Sequence, residues 1–281
     1  MKLHYFDWEP KDSFLHLQSE ALPLVFLHGM GGTGYIWRPI AAALEDEFKC
    51  IALDQRGHGL SRPVPNSEPG FQALDYGRDV VSTLTMLGIK RFFLIGHSMG
   101  VRTALAVAHF IPDQIAGLVA VDIGITPEWG GGIGLPLASF LQNLPTTFSD
   151  RAKMREYVVQ NCPDPSIAQY LIAVAKKISD APETWIFPFD HEALVKTIHQ
   201  ANEAPIPEWV MQTVQSGVRT TFLRGENSKV WSKADYESQK AKYIHPLLQF
   251  EEWENCGHGL PFEQRARFVK FLKDFVKQNF E

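Results

Sequence analysis

The pentapeptide Gly96-His97-Ser98-Met99-Gly100 constrains this chain more than any other feature, because of what stands on either side of it. Before it runs RFFLIG (91–96), a short continuous apolar run of the kind that forms a parallel strand covered on both faces. After it, residues 99–110 carry apolar side chains at helical spacing. A serine at such a strand-to-helix junction occupies a strained conformation on a sharp turn, so the residues two before and two after must lack bulk. Gly96 and Gly100 meet that demand. The turn lifts the Ser98 hydroxyl above the sheet, and the backbone N–H of Met99, at the start of the helix, is expected to point where an oxyanion would form.

The remaining periodicity supplies a framework for that turn. Strand-like segments HYFDW, FLHLQ and LPLVFL fall within residues 2–27, separated by Pro, Asp and Ser turn signals. Helical spacing over 35–47 leads to FKCIALD (48–54), which reads as a buried strand followed by the loop QRGHGLSRP. A helix over about 75–88 precedes the turn, and GLVAVD (117–122) is the next strand. Alternation is then lost for about ninety residues and returns at RTTFLRG (219–225). A helix over 232–243, a strand LLQFEEW (247–253), the loop ENCGHGLP and an amphipathic helix over 262–279 complete the chain. Strands alternating with helices predict an α/β fold, a mostly parallel eight-stranded sheet flanked by helices, with reactive groups at the carboxyl ends of the strands.

The interruption opens with WGGGIGLP and carries helical patterns over about 133–143, 150–160, 166–178 and 190–200. It predicts a mostly helical cap inserted over 125–215, with 1–124 and 216–281 forming the core. At 281 residues with 45% hydrophobic and 21% charged side chains, the chain can bury a core of that size.

A serine hydroxyl is a poor nucleophile at neutral pH unless a histidine takes its proton. Of ten histidines, His258 in Asn255-Cys256-Gly257-His258-Gly259 lies in a Gly-rich loop between a late strand and the terminal helix, where the order Ser, acid, His requires the base. His97 reads as a packing neighbour, His58 as a residue that holds the QRGHGLS loop in place, and His28 as structural; His191 and His199 fall in or near the cap. A second oxyanion donor is expected from His28-Gly29-Met30-Gly31-Gly32, whose glycines let the Met30 N–H approach the site. The absence of GK[ST] or GxGxxG disfavours a phosphate-binding role for that loop.

The acid has three candidates. Asp122 ends the strand after the nucleophile helix, 122 − 98 = 24 residues on, where a buried carboxylate could accept the His258 N–H. Glu226 lies in the turn after the strand at 219–225, and Asp235 inside the following helix. Asp122 is favoured over Glu226, with Asp235 behind.

Four motifs in order, HGMGG, LDQRGHGLSRP, GHSMG and ENCGHG, together resemble the α/β-hydrolase superfamily over essentially the whole chain outside the cap. VDIGITP and RGENSKVWS further resemble segments of small serine esterases and thioesterases whose acid follows the strand after the nucleophile turn. The resemblance implies a catalytic triad of Ser98, Asp122 and His258, an oxyanion hole from Met30 and Met99, and a serine-dependent carboxylesterase-type reaction without cofactor or metal.

In the cap, Trp129, Phe140, Trp185 and Phe187 are candidate pocket residues for an apolar acyl or aryl group, although aromatics in a small helical unit more often form its own core. Arg151, Lys153, Arg155, Lys176 and Lys177 could meet an anionic thioester or form a solvated face. The expected partner is therefore a small-molecule ester or thioester. Carbon–carbon bond hydrolases, lactonases and cofactor-free perhydrolases share the triad, and a non-enzymatic ligand receptor could share the scaffold. A net charge of −5 gives no footprint for nucleic acid, and no apolar run reaches the length of a membrane span. Three widely spaced cysteines and an N-terminus without an apolar leader point to a cytoplasmic monomer or homodimer.

Overall fold

The computed structural model describes residues 1–9, 22–66, 70–125, 134–200 and 204–279. Its central sheet is built from β1 (Tyr5–Trp8), β2 (Leu24–Leu27), β3 (Cys50–Leu53), β4 (Phe92–His97), β5 (Ile115–Val121), β8 (Thr220–Gly225) and β9 (Leu248–Trp253). Among the described residues this sheet has seven strands in the order β1-β3-β2-β4-β5-β8-β9. Only β1 runs antiparallel to its neighbour. The expected strand FLHLQ lies outside the described residues.

The inner strands are buried on both faces, which is why β2, β3 and β4 read as unbroken apolar runs. Because side chains alternate across a strand, each run feeds two cores. Val25, Leu27, Ile51, Leu53, Leu94 and Leu118 meet α2 (Ala73–Met86), α3 (Met99–Phe110) and α8 (Ile206–Gln215) on one face. Leu24, Phe26, Ala52, Phe93, Ile95 and Val119 meet Trp37, Ile40 and the terminal α11 (Arg265–Gln278) on the other.

Helical spacing over 35–47 resolves into a 3-10 turn (Gly34–Trp37) and a single α-helical turn, α1 (Arg38–Ala41). Beyond it the amides of Ala43 and Leu44 bond three residues back, to Ile40 and Ala41, the tighter pattern that does not propagate. The terminal helix is also divided, with α10 (Leu260–Glu263) separated from α11 by the non-helical Gln264.

Between β5 and β8 the chain forms α4 (Gly134–Asn143), α5 (Arg151–Asn161), α6 (Pro165–Val174), the hairpin β6 (Lys176–Asp180) and β7 (Glu183–Ile186), and α7 (His191–Gln200). The helix expected over 166–178 stops at Val174, because Lys176 and Lys177 pair with Ile186 and Trp185 across the hairpin. These elements share a third apolar cluster. Helix α8 does not join it: Ile206, Trp209, Val210 and Val214 pack in the core layer beside α3, although the expected cap segment extends to 215.

One charged joint holds the loop after β3. The Arg56 guanidinium forks onto Asp79 of α2, with Nε 2.7 Å and one terminal nitrogen 3.0 Å from its carboxylate oxygens, and both residues are buried. The same loop is anchored at its other end by Asp54, which accepts the Gly34 and Leu60 amides at 2.7 and 2.9 Å. Asp79→Asn keeps the shape but removes the countercharge from a buried guanidinium, and is expected to lower the unfolding free energy by about 3–5 kcal/mol. Urea denaturation measures this; a loss under about 1 kcal/mol would place the pair with weak surface bridges instead.

Candidate active site

Ser98 stands between the end of β4 and the first residue of α3 with φ +53° and ψ −120°, a conformation that L-residues rarely adopt. Its amide donates to the Val121 carbonyl at 2.8 Å, tying the turn to the carboxyl end of β5. The flanking glycines are sterically required. A Cβ on Gly96 would lie 2.5 Å from the Gly100 carbonyl oxygen, and one on Gly100 would lie 2.5 Å from that of Leu27. Met99 opens α3, so its N–H belongs to the first helical turn and has no acceptor within the helix.

The glycine loop after β2 passes directly beside this turn: a Cβ on Gly29 would touch the His97 ring at 3.1 Å and the Ser98 Cβ at 3.3 Å. The Gly29 carbonyl accepts both the His28 Nδ1–H at 2.7 Å and the Gly32 amide at 3.0 Å. In a trans peptide the N–H points opposite to the carbonyl, so these two donors orient the Met30 N–H away from themselves.

His258 and Asp122 meet at the carboxyl edge of the sheet. His258 Nδ1 lies 2.7 Å from Asp122 Oδ2, with the carboxylate fully buried and the imidazole nearly so. Asp122 also departs from ordinary backbone geometry, at φ +54°, and its amide donates to the Leu223 carbonyl at 2.8 Å. The Gly225 amide donates to Oδ1 at 2.9 Å, and the Ser228 hydroxyl donates to Oδ2. A carboxylate holding three donors is a strong acceptor fixed in place. Ser228 had no place in the sequence-based site. The resemblance drawn for RGENSKVWS took in this turn without marking Ser228 as a partner of Asp122.

The other two acids lie elsewhere. Glu226 is exposed and accepts the Asn255 amide at 3.0 Å, while Asp235 sits in the first turn of α9 (Lys233–Lys242) and engages the Ser232 cap. The loop bearing His258 is braced from two sides. Glu263 accepts the Gly257 and Gly259 amides at 2.9 and 3.0 Å, and His97 Nε2–H donates to the His258 carbonyl at 2.8 Å.

Three neighbouring histidines are buried and hold no charge at neutral pH. Desolvation pushes His28 down to about 4, and His58 and His97 down to about 3. Their nitrogens serve the backbone. The Gln55 amide donates to His28 Nε2 at 3.0 Å, and the Gly31 amide donates to His58 Nε2 at 3.0 Å.

Ser98, His258 and Met30 face one cavity of about 520 Å³, counting all space between atoms. Gly29, Gly31 and His97 line it beside them, and the rest of the wall is Leu137 and Leu141 from α4, Ile167, Tyr170 and Leu171 from α6, Leu194 from α7, and Val230. The aromatic residues expected to line it do not. Phe140 points into the cluster of the α4–α7 layer, one position off the face that carries Leu137 and Leu141. Phe187 stacks on Phe189 with ring centroids 5.5 Å apart, and Trp185 is held in the hairpin, bridged to Phe148 and covered by Arg151 at 5.5 Å. Trp129 lies outside the described residues. Of the expected basic face, Lys153 and Lys177 pair with Asp150 and Asp180 at the surface rather than turning toward the cavity. Among the described residues no cluster of His, Cys, Asp and Glu is arranged to hold a metal, and no helix is long and apolar enough to cross a membrane.

Comparison with known proteins agrees with this architecture. The solved structure of E-2-(acetamidomethylene)succinate hydrolase superposes with a TM-score of 0.78 at 24% identity, covering 98% of this chain and 95% of that one. The 2-(acetamidomethylene)succinate hydrolase of Mesorhizobium japonicum is 36% identical over 99 residues, a stretch that spans 35% of this chain and 34% of that protein. The sn-1-specific diacylglycerol lipase ABHD11 of Xenopus laevis is 28% identical over 267 residues, covering 91% of this chain and 80% of the lipase. A family model for the alpha/beta hydrolase fold matches residues 23–169, more than half of the chain, and with the parallel sheet and the nucleophile-type turn in view, the chain belongs to the α/β-hydrolase family.

Proposed function

We propose that this protein is a serine hydrolase that cleaves carboxylic esters or thioesters of small to medium apolar acyl groups through an acyl-enzyme. One observation carries the reading: a buried Asp122–His258 pair, 2.7 Å apart, opens onto the same cavity as a serine held at φ +53°. Ser98 Oγ attacks the ester carbonyl while its proton passes to His258 Nε2, and the Asp122 carboxylate stabilises the imidazolium through Nδ1–H. The tetrahedral oxyanion is held by the Met30 and Met99 amides, each worth about 3 kcal/mol in systems of this kind. Collapse expels the alcohol or thiol, which takes the proton from His258. Water, deprotonated by the same imidazole, then attacks the acyl-Ser98 ester and releases the acid.

In this reading Ser228 and the Gly225 amide keep Asp122 pointed at His258, and residues 134–200 act as the lid while α8 belongs to the core. The ester preference draws support from the diacylglycerol lipase, whose match runs through most of both chains. The cavity wall argues for an uncharged acyl group. No Lys or Arg side chain lines it among the described residues, and an ionised carboxylate carried into that space would lose its hydration without gaining a partner. That distinguishes the expected substrates from a succinate, the compound for which the Mesorhizobium enzyme is named. The cysteines are unpaired, with Cys50 and Cys256 buried, which suits a reducing cytoplasm.

p-Nitrophenyl esters of graded chain length test the chemistry. Wild-type turnover is expected to fall by at least about 10⁴-fold in Ser98→Ala, and a serine-directed fluorophosphonate should label the wild type alone. Turnover that survives in the mutant would remove Ser98 from the mechanism. For the acid, Asp122→Asn is expected to lower kcat by about 10⁴-fold and Glu226→Gln to leave it nearly unchanged. The opposite ranking would move the acid to Glu226. A butyrate ester should exceed the corresponding hemisuccinate in kcat/KM by about 100-fold or more, and parity between them would mean that a cation reaches the acyl group.

A further inference from the structure

The loop Gln55–Ser61 is joined on one side to the lid and on the other to the glycine loop. Toward the lid, it pairs like a short antiparallel strand. The Gly59 amide donates to the Pro188 carbonyl at 2.6 Å, the Asp190 amide donates to the Gly57 carbonyl at 2.8 Å, and His58 faces Phe189 across this bridge. Toward the site, the His58 imidazole reaches out of the bridge and takes the Gly31 amide on Nε2 at 3.0 Å. Its other nitrogen, Nδ1, lies 2.9 Å from the Arg56 carbonyl, which can only accept, so Nδ1 carries the proton and Nε2 is left as an acceptor. The ring is fully buried and lies against His28, with centroids 4.8 Å apart.

Gly31 follows Met30 directly and has φ +77°, so the position of its amide sets how the chain turns after the Met30 peptide. On its far side the turn packs closely against the lid. A Cβ on Gly31 would lie 2.6 Å from Leu171 of the lid helix α6, and one on Gly32 would lie 2.0 Å from the Tyr170 hydroxyl.

We propose that His58 is a positioning residue for the oxyanion hole: seated in the strand-like bridge to Phe189, it fixes the Gly31 amide and thereby the Met30 N–H, so that the place of the lid determines the geometry of the hole. The inference rests on the serine-hydrolase reading of Ser98. His58 moves no proton and touches no substrate. Its contribution is to hold a peptide plane, and misplacement by about 1 Å is enough to cost on the order of 100-fold in rate.

Two substitutions separate this role from packing. His58→Phe keeps a ring of similar size and removes both polar nitrogens; His58→Gln places an amide oxygen near the position of Nε2, able to accept the Gly31 N–H. In p-nitrophenyl butyrate hydrolysis, His58→Phe is expected to lower kcat by about 10–100-fold with KM changed less than about 3-fold. Affinity for a trifluoromethyl ketone, which becomes tetrahedral and anionic on Ser98, should fall by the same factor, and His58→Gln should restore most of both. Equal impairment of the two variants, or an unimpaired His58→Phe, would overturn the proposal. Should His58→Phe fail to fold, wild-type protein labelled with ¹⁵N supplies the second measurement, a scalar coupling between the Gly31 amide nitrogen and His58 Nε2 across the hydrogen bond. Its absence would likewise overturn the proposal. Wild-type protein that turns over no ester and takes no fluorophosphonate refutes the serine-hydrolase reading instead, an outcome distinct from wild-type activity with indifferent variants.

Discussion

The joint at Asp122 is the interaction on which the site depends. A carboxylate at the end of β5 gathers the Gly225 amide from the end of β8, the Ser228 hydroxyl from the following turn, and the His258 imidazole from a loop beyond β9. Fully buried, a carboxyl group would be costly without donors, and with three of them it becomes a fixed point for elements more than a hundred residues apart in sequence. The adjoining backbone answers the same need. Val121 takes the Ser98 amide and Leu223 takes the Asp122 amide, so the serine and the acid are referred to neighbouring strand ends.

Around that joint, the chain uses uncharged histidines as backbone supports. His28, His58 and His97 each commit nitrogens to main-chain groups, at Gly29 and Gln55, Gly31 and Arg56, and His258. Burial keeps them neutral, which is what allows a single ring to donate from one nitrogen and accept on the other. His258 stands apart among these rings because its Nδ1 partner is a carboxylate.

The central strands, the turn at Ser98 and the loop at His258 were legible in the sequence because each rests on local rules: apolar runs for doubly covered strands, glycines around a strained serine, a Gly-rich loop before the last helix. Asp122 was legible as one of three carboxylates, and only the fold sets it beside the imidazole while leaving Glu226 on an exposed turn. Ser228 escaped notice because a serine in a polar turn carries no local mark of a partner 106 positions away. The segment over 134–200 was the least readable part. Aromatic composition pointed at Phe140, Trp185 and Phe187, but helix phase and hairpin pairing turn them into that segment's own core, and what it presents to the cavity is aliphatic apart from Tyr170. The layer that helix α8 joins was not legible for a related reason: an amphipathic helix records that one face is buried and not which partner buries it.

Gly31 and Gly32 give up their side-chain space to Leu171 and Tyr170, so the glycine loop and helix α6 are two halves of one fitted surface. Evolutionary change of the segment over 134–200 is therefore not free to proceed by wholesale exchange. A transplanted segment lacking those two projections would leave hollows against the loop, and a bulkier one would press on the glycine backbone. Diversification of substrate range in such a protein is channelled toward the aliphatic residues on α4 and α7, which can vary in size without disturbing that fit.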